Sequence, residues 1–431
     1  MPPRPSAPAN VVTITALANL PKPASAAASP PAHWAHLDHT GTRPLSFQNP
    51  WPSFRKTHGL ATALHARFWS PTRNFVPVPT SREELVPVQT PDWGRGDSSA
   101  LDKLKAAWIG HASFLVETSA ASKRDKRGVT LLLDPVFSER MSPVGFLGPK
   151  RFTPPPCALQ DLPEVDLVVI SHNHYDHLDA ATVRFLHQRG QGRVRFLCTL
   201  GVKPCLTGMG VGEAEVVELD WWEGVRVDVH GVGAVKLVCT PAQHFSGRSL
   251  WDAGKSLWCS WVLEEVAEAP EERACGTNDT RTHAETAAVA PPSSRALKKL
   301  FFAGDTGYRT MPSDTPLTPN SPNPPPHCPA FAEIGHAHGP FDLALLPIGC
   351  YSPRSFMSPV HCSPEDALCV HRDVRSRKSV GMHFGTVRGG ISEFYEDVRE
   401  PGRLWREGAE REGLRWGEEV GVLGVGEVVG V

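Results

Sequence analysis

The sequence predicts one large α/β domain, on three observations. Short apolar runs recur from about residue 105 to 425, helical segments alternate with them, and the irregular, proline-rich stretches fall outside that pattern. The 431 residues carry 44 Lys+Arg against 46 Asp+Glu, a formal charge of −2, with 40% hydrophobic residues. That balance excludes a wholly disordered chain, and it offers no basic excess for binding nucleic acid. The ten cysteines form no C-x-x-C pair. In so long a chain they read as reduced thiols of an intracellular protein. No run approaches the ~18–20 apolar residues of a membrane-spanning helix.

Residues 1–32 are rich in Pro, Ala and Ser with Arg4 and Lys22 as their charges, and they read as a disordered amino-terminal extension. A transit peptide would be Arg-rich and amphipathic, so mitochondrial targeting finds little support here. Residues 33–104 place Trp34, Phe47, Trp51, Phe54, Phe68, Trp69 and Phe75 among prolines and basic residues. The segment reads as an arm packed on the body, with contact of some rings with a lipid interface as the sharper alternative.

The domain proper is expected over 105–425. AAWIG, ASFLVE and VTLLLDP read as successive strands, and VDLVVIS (165–171) is continuous enough to be buried on both faces. Asp179 is a natural N-cap for a helix ending near Gly190. Further strands are expected at RVRFLCT, AEVVEL, VRVDVH, AVKLVCT, LWCSWVL, KKLFFAG, FDLALLP and KSVGMHF. Helices are expected at 202–208, 329–337, 364–374 and 402–412; the third opens on Ser363 and Pro364, with Asp366 closing a capping box. Segments 265–297 and 310–327 are too rich in Pro, Thr and Ala to join this pattern and read as surface insertions.

Chemistry concentrates in SHNHYDHLD (171–179), which sets His172, His174, Asp176 and His177 into six positions directly after a buried strand. Imidazoles and a carboxylate without thiolates suit Zn²⁺ and related divalent ions. Further donors stand at other strand ends: His244 in TPAQHFSGR, Asp305 in FFAGDTGY and His383 in KSVGMHFGT. Gly304 and Gly307 would let the backbone turn tightly beside Asp305. A bound divalent ion acidifies its water, so the nucleophile is expected to come from water rather than from a side chain.

This constellation resembles the metallo-β-lactamase superfamily, which implies an αββα four-layer sandwich with two mixed β-sheets and two metals at one edge. Longer segments are similar to N-acyl-phosphatidylethanolamine-hydrolysing phospholipase D: NPWPSF (49–54), LDPVFSERMSPVGFLGPKRF (133–152), ISHNHYDHLD (170–179), ELDWWE (218–223), TPAQHFSGRSLW (240–251), FFAGDTGY (301–308) and KSVGMHFGT (378–386). Carried over by position, the resemblance implies one Zn²⁺ on His172, His174 and His244 and another on Asp176, His177 and His383, with Asp305 bridging. It implies cleavage of the phosphate–ethanolamine oxygen bond, giving an N-acylethanolamine and phosphatidic acid. It also implies a peripheral membrane homodimer with a phospholipid substrate.

Asp176 counts as a catalytic candidate as well as a ligand. Asp134 would orient a metal-bound His, or would simply form an Asp-Pro turn. The resemblance gives His361 a role in orienting substrate or protonating the leaving group. Tyr175 would hydrogen-bond the substrate amide or phosphate, or pack. Trp221 and Trp222 read as core or wall rather than as substrate contacts, and Arg184, Arg189, Arg193, Arg195 and Lys203 as a basic group able to meet anionic headgroups or merely to face solvent. The insertions, the amino-terminal extension and Ser355, where the family carries an aromatic, depart from the pattern. The competing expectations are a lactonase or phosphodiesterase of the same fold acting on a soluble metabolite, and a non-catalytic lipid sensor.

Overall fold

In the computed structural model, described over residues 11–56, 59–94, 101–120, 127–249, 251–267, 296–314 and 323–431, two mixed sheets face each other and helices cover both outer faces. The eight-stranded sheet runs in the order Val12–Ala16, Gly224–Val229, Gly233–Thr240, Ser260–Glu265, Lys299–Phe302, Leu343–Pro347, Ser379–Met382 and Val420–Val422. The seven-stranded sheet is ordered Val216–Leu219, Arg195–Thr199, Leu167–Val169, Thr130–Leu133, Ser113–Glu117, Lys105–Gly110 and Val428–Gly430.

The continuous apolar strands explain the layering. Successive side chains of a strand point to opposite faces, so Leu131, Leu133, Leu167 and Val169 enter the core between the sheets. Leu132 and Val168 instead meet Val183, Leu186 and Leu206 of the helices Ala180–Gly190 and Lys203–Gly208. Across the molecule the helices Ala330–Ala337, Pro364–Asp373 and Glu400–Arg411 seat Phe331, Leu368 and Trp405 on the other sheet. Each Leu or Val sealed this way is worth about 1.5–3 kcal/mol, and truncating Leu132 to Ala would cost about 2–5 kcal/mol.

Strand direction then decides where chemistry can gather. Lys105–Gly110, Thr130–Leu133 and Leu167–Val169 all run the same way, since the first is antiparallel to Ser113–Glu117, which is antiparallel to the second. By the same count Gly233–Thr240, Lys299–Phe302, Leu343–Pro347 and Ser379–Met382 share one direction. The residues following these strands therefore emerge along one edge of the sandwich.

Three expectations need correction, and a fourth gains detail. Val12–Ala16, placed above in a disordered extension of 1–32, is the edge strand paired with Gly224–Val229, because its run VTITA is β-branched and Val12 is buried there. Residues 1–10 lie outside the described residues. The domain continues past 425: Val428–Gly430 pairs with Lys105–Gly110 and closes the second sheet. Asp366 does not close a capping box. Ser363 accepts from Asp366 N at 3.3 Å, but the Asp366 carboxylate turns to Arg309 and Arg354. Finally, the insertion expected at 310–327 is anchored at its described ends, Thr310 N donating to Ser53 O at 3.0 Å and the His327 ring stacking on Tyr308. Its residues 315–322, and 268–295 of the other insertion, lie outside the described residues.

Residues 33–104 hold a small antiparallel pair, Trp34–Leu37 with Pro44–Phe47, and the helix Leu60–Phe68. This helix is tied to the body by Tyr395, whose hydroxyl donates to Ala66 O at 2.6 Å.

Candidate metal centre

Seven sequence-predicted donors meet at that edge. His172, His174 and His244 offer one nitrogen each within a single group, and Asp176, His177 and His383 form a second group. Asp305 lies between them: its Oδ2 is 3.1 Å from His177 Nε2 and 3.8 Å from His244 Nε2, and its Oδ1 is 3.0 Å from His383 Nε2. All but His174 and Asp176 are fully buried.

Local backbone makes this convergence possible. Asp134, His111 and His383 each follow a strand with positive φ, at 39°, 55° and 62°, a conformation that costs free energy in non-glycine residues and turns the side chain back into the cleft. Gly304 adopts φ 59°, and a Cβ there would lie 2.8 Å from that of Ser171. Gly307 is needed for close packing: its Cβ would sit 2.3 Å from Pro359 O.

The second layer orients the rings. Asp134 accepts from Ser171 N at 2.7 Å, from Ser171 Oγ at 2.5 Å and from His177 Nδ1 at 2.7 Å. His177 Nδ1 thus holds its proton against the carboxylate and leaves Nε2 facing Asp305. His244 Nδ1 donates to Val360 O at 2.8 Å, which gives its Nε2 a free lone pair by the same logic.

Burial drives His172 and His244 far below the ordinary imidazole value and His174 down to about 4. His177 behaves oppositely: burial resists its charge, but Asp305 and Asp176 raise it to about 10. The nitrogen spacings stand near those of a cation site, one close to the ideal and one shorter. Two nitrogens about 2.1 Å from one tetrahedral ion stand roughly 3.4 Å apart, and here His172 Nε2–His174 Nδ1 is 2.9 Å and His174 Nδ1–His244 Nε2 is 3.3 Å.

His361 is buried beside this centre, its Nδ1 3.9 Å from Asp305 Oδ2, and burial lowers it to about 4. Tyr175 stands at the rim, packed on Val136, Met141 and Val387, with the Arg248 guanidinium 3.8 Å above its ring. Trp221 and Trp222 are in the core. Arg195 begins its strand and Arg189 ends its helix, so both lie away from the site edge, where they donate to the carbonyls of Gly192 and Leu162. One residue escaped the sequence reading. His111 Nε2 lies 3.0 Å from Asp176 Oδ2 and its ring 3.9 Å from that of His383, making it a fourth member of the second group. Its signal was the Gly-His pair closing the strand AAWIG.

Residues 130–384 match the model of the Beta-lactamase superfamily domain. The chain is 34% identical over 300 residues to N-acyl-phosphatidylethanolamine-hydrolyzing phospholipase D 1 of Caenorhabditis elegans, covering 69% of this chain and 68% of that one. An uncharacterized protein of Mycobacterium tuberculosis is 38% identical over 306 residues, 70% of this chain and 63% of its own length. N-acyl-phosphatidylethanolamine-hydrolyzing phospholipase D, mitochondrial, of Saccharomyces cerevisiae is 28% identical over 376 residues, 79% of this chain and 67% of its own. With the donor groups at one sandwich edge, these matches make the chain a member of the metallo-β-lactamase superfamily of metal-dependent hydrolases, related to N-acyl-phosphatidylethanolamine-hydrolysing phospholipase D.

Proposed function

We propose that the chain is a zinc-dependent phosphodiesterase of the phospholipase D type, acting on N-acyl-phosphatidylethanolamine or a related phospholipid. The observation that carries this reading is the meeting of two donor groups on the one buried carboxylate of Asp305. His172, His174 and His244 would hold one Zn²⁺, and Asp176, His177 and His383 the other. The bound ions supply a Lewis acid for phosphate oxygens and an acidified water at neutral pH.

The chain's own residues do the rest. Asp134 fixes the tautomer of His177, and Val360 O fixes that of His244. His361, with Nδ1 buried and without a hydrogen-bond partner among the described residues, orients the phosphate. Tyr175 offers its hydroxyl to the substrate amide or phosphate from the rim. Water oxygen joins phosphorus, the phosphate–ethanolamine oxygen bond breaks, and the leaving oxygen takes a proton. The products are an N-acylethanolamine and phosphatidic acid.

A lipid substrate calls for an apolar approach, and the surroundings of the site supply one. Phe245, 43% exposed, packs against His174, and Phe146 and Trp251, 81% and 85% exposed, lie five residues after Met141 and three after Arg248, which both touch Tyr175. Peripheral membrane contact and a homodimer belong to this reading. No helix among the described residues is long and apolar enough to cross a membrane. An intracellular place is supported by the nine described cysteines, all free; a mitochondrial address rests on the name of the yeast relative.

Mass-spectrometric analysis after incubating the metal-loaded protein with N-acyl-phosphatidylethanolamine vesicles tests the proposal. N-acylethanolamine plus phosphatidic acid, absent with His174→Ala, is the expected result. No product from protein carrying two metals per chain would move the search to soluble phosphodiesters and lactones.

A further inference from the structure

The loop 241–246 delivers His244, and much of what holds it comes from a distant part of the chain. The arm is first fixed to the body. His33 Nε2 lies 2.6 Å from Asp220 Oδ1, Trp34 Nε1 donates to Asp220 Oδ2 at 3.0 Å, and Trp51 stacks on Trp221 with ring centroids 5.3 Å apart. From that anchor two arm side chains reach consecutive residues of the loop. Asn49 Nδ2 donates to His244 O at 2.7 Å, and Ser53 Oγ donates to Gln243 Oε1 at 2.5 Å.

Gln243 passes this on. Its side-chain amide donates to Pro359 O at 2.9 Å, its backbone N–H donates to Thr306 Oγ1 at 2.9 Å, and its carbonyl accepts from Gly307 N at 2.7 Å. One buried glutamine therefore ties the loops carrying His244, Asp305 and His361, and Ser53 fixes its orientation. Asn49 is held more narrowly. Its Oδ1 is buried with no hydrogen-bond partner among the described residues, an unfavourable arrangement that native proteins keep only where something else requires it.

We propose that the amino-terminal arm is part of the metal centre: Asn49, and Ser53 through Gln243, are positioning residues that set where His244 Nε2 points. The inference rests on the reading of His244 as a metal ligand. Partners of ligands typically change metal affinity or activity about 10–100-fold when removed.

The test is a calorimetric titration of Zn²⁺ into the metal-free full chain, with the visible spectrum of the Co²⁺-loaded protein as a report on ligand geometry. Asn49→Asp keeps the shape but loses the N–H donor. It is expected to weaken Zn²⁺ binding about 10-fold and to alter the Co²⁺ bands, with circular dichroism unchanged. Asn49→Ala carries the same test where the carboxylate proves incompatible with folding. Gln48→Ala, which removes an exposed arm contact to Ala32 O, is expected to change neither readout. Wild-type affinity and spectrum in both Asn49 variants, with binding lost in His244→Ala, would overturn the proposal while keeping His244 as a ligand. Unchanged binding in His244→Ala would instead refute the ligand assignment itself.

Discussion

The two halves of the metal centre are built differently. The half around His177 is rich in carboxylates: Asp134 sits behind the ring, Asp176 and Asp305 in front, and His111 backs Asp176. Apart from Asp305, the half around His244 has imidazoles facing one another, and its supports are neutral: Val360 O, Ser171 Oγ beside His172, and the arm. Strand ends of both sheets carry the first: Asp134, His111 and the 171–179 turn from the seven-stranded sheet, His383 from the eight-stranded one. In the second, His172 and His174 share that same turn, while His244 stands on a loop that the arm holds. One centre can thus be fixed by charge on one side and by packed, hydrogen-bonded backbone on the other.

Breaking what the halves share should have the largest effect. Asp305→Asn, which keeps the shape but removes the charge facing both groups, should lower metal content and reduce activity at least about 100-fold in a folded chain. Metal analysis by mass spectrometry checks this, and two equivalents with full activity would sink the bridging role. Asp134→Asn strikes the carboxylate-rich half first and reaches the other through Ser171. It should weaken metal binding about 10–100-fold, because His177 loses the acceptor that fixes its tautomer; titration of both halves with Co²⁺ would show whether the His244 half is spared.

His361→Ala is expected to lower turnover up to about 100-fold with metal retained, checked by steady-state kinetics beside metal content. Unchanged kinetics would make His361 structural. The mildest test lies beside the carboxylate-rich half, where Glu396 accepts from the backbone N–H groups of Cys350 and Tyr351. Burial pushes its carboxyl from 4.5 up to about 7. The folded chain then binds the extra proton between those values, so stability from this group falls as pH rises through that window, by about 3 kcal/mol. Glu396→Gln should remove that slope, read as the difference between wild-type and variant denaturation midpoints at pH 5 and pH 8.

The parts of the molecule legible in the sequence were those governed by local pattern. Strands buried on both faces announce themselves as unbroken apolar runs, as in Leu167–Val169, and H-x-H-x-D-H packs four donors into one strand-end turn. What escaped depended on partners far away in sequence. Val12–Ala16 was hidden by the composition of its surroundings and becomes a strand by pairing with residues more than 200 positions on. His111 acquires meaning only beside Asp176, and Asn49 only beside the carbonyl of His244, 195 residues later. Asp366 shows the converse: the capping pattern was present, but two arginines claimed the carboxylate.

The most direct test of the proposed chemistry is hydrolysis of N-acyl-phosphatidylethanolamine vesicles in ¹⁸O-labelled water, with the label located by mass spectrometry. Attack of water on phosphorus at the Asp305 centre predicts one ¹⁸O in phosphatidic acid and none in the N-acylethanolamine. Label in the N-acylethanolamine, or release of a free fatty acid instead, would contradict it.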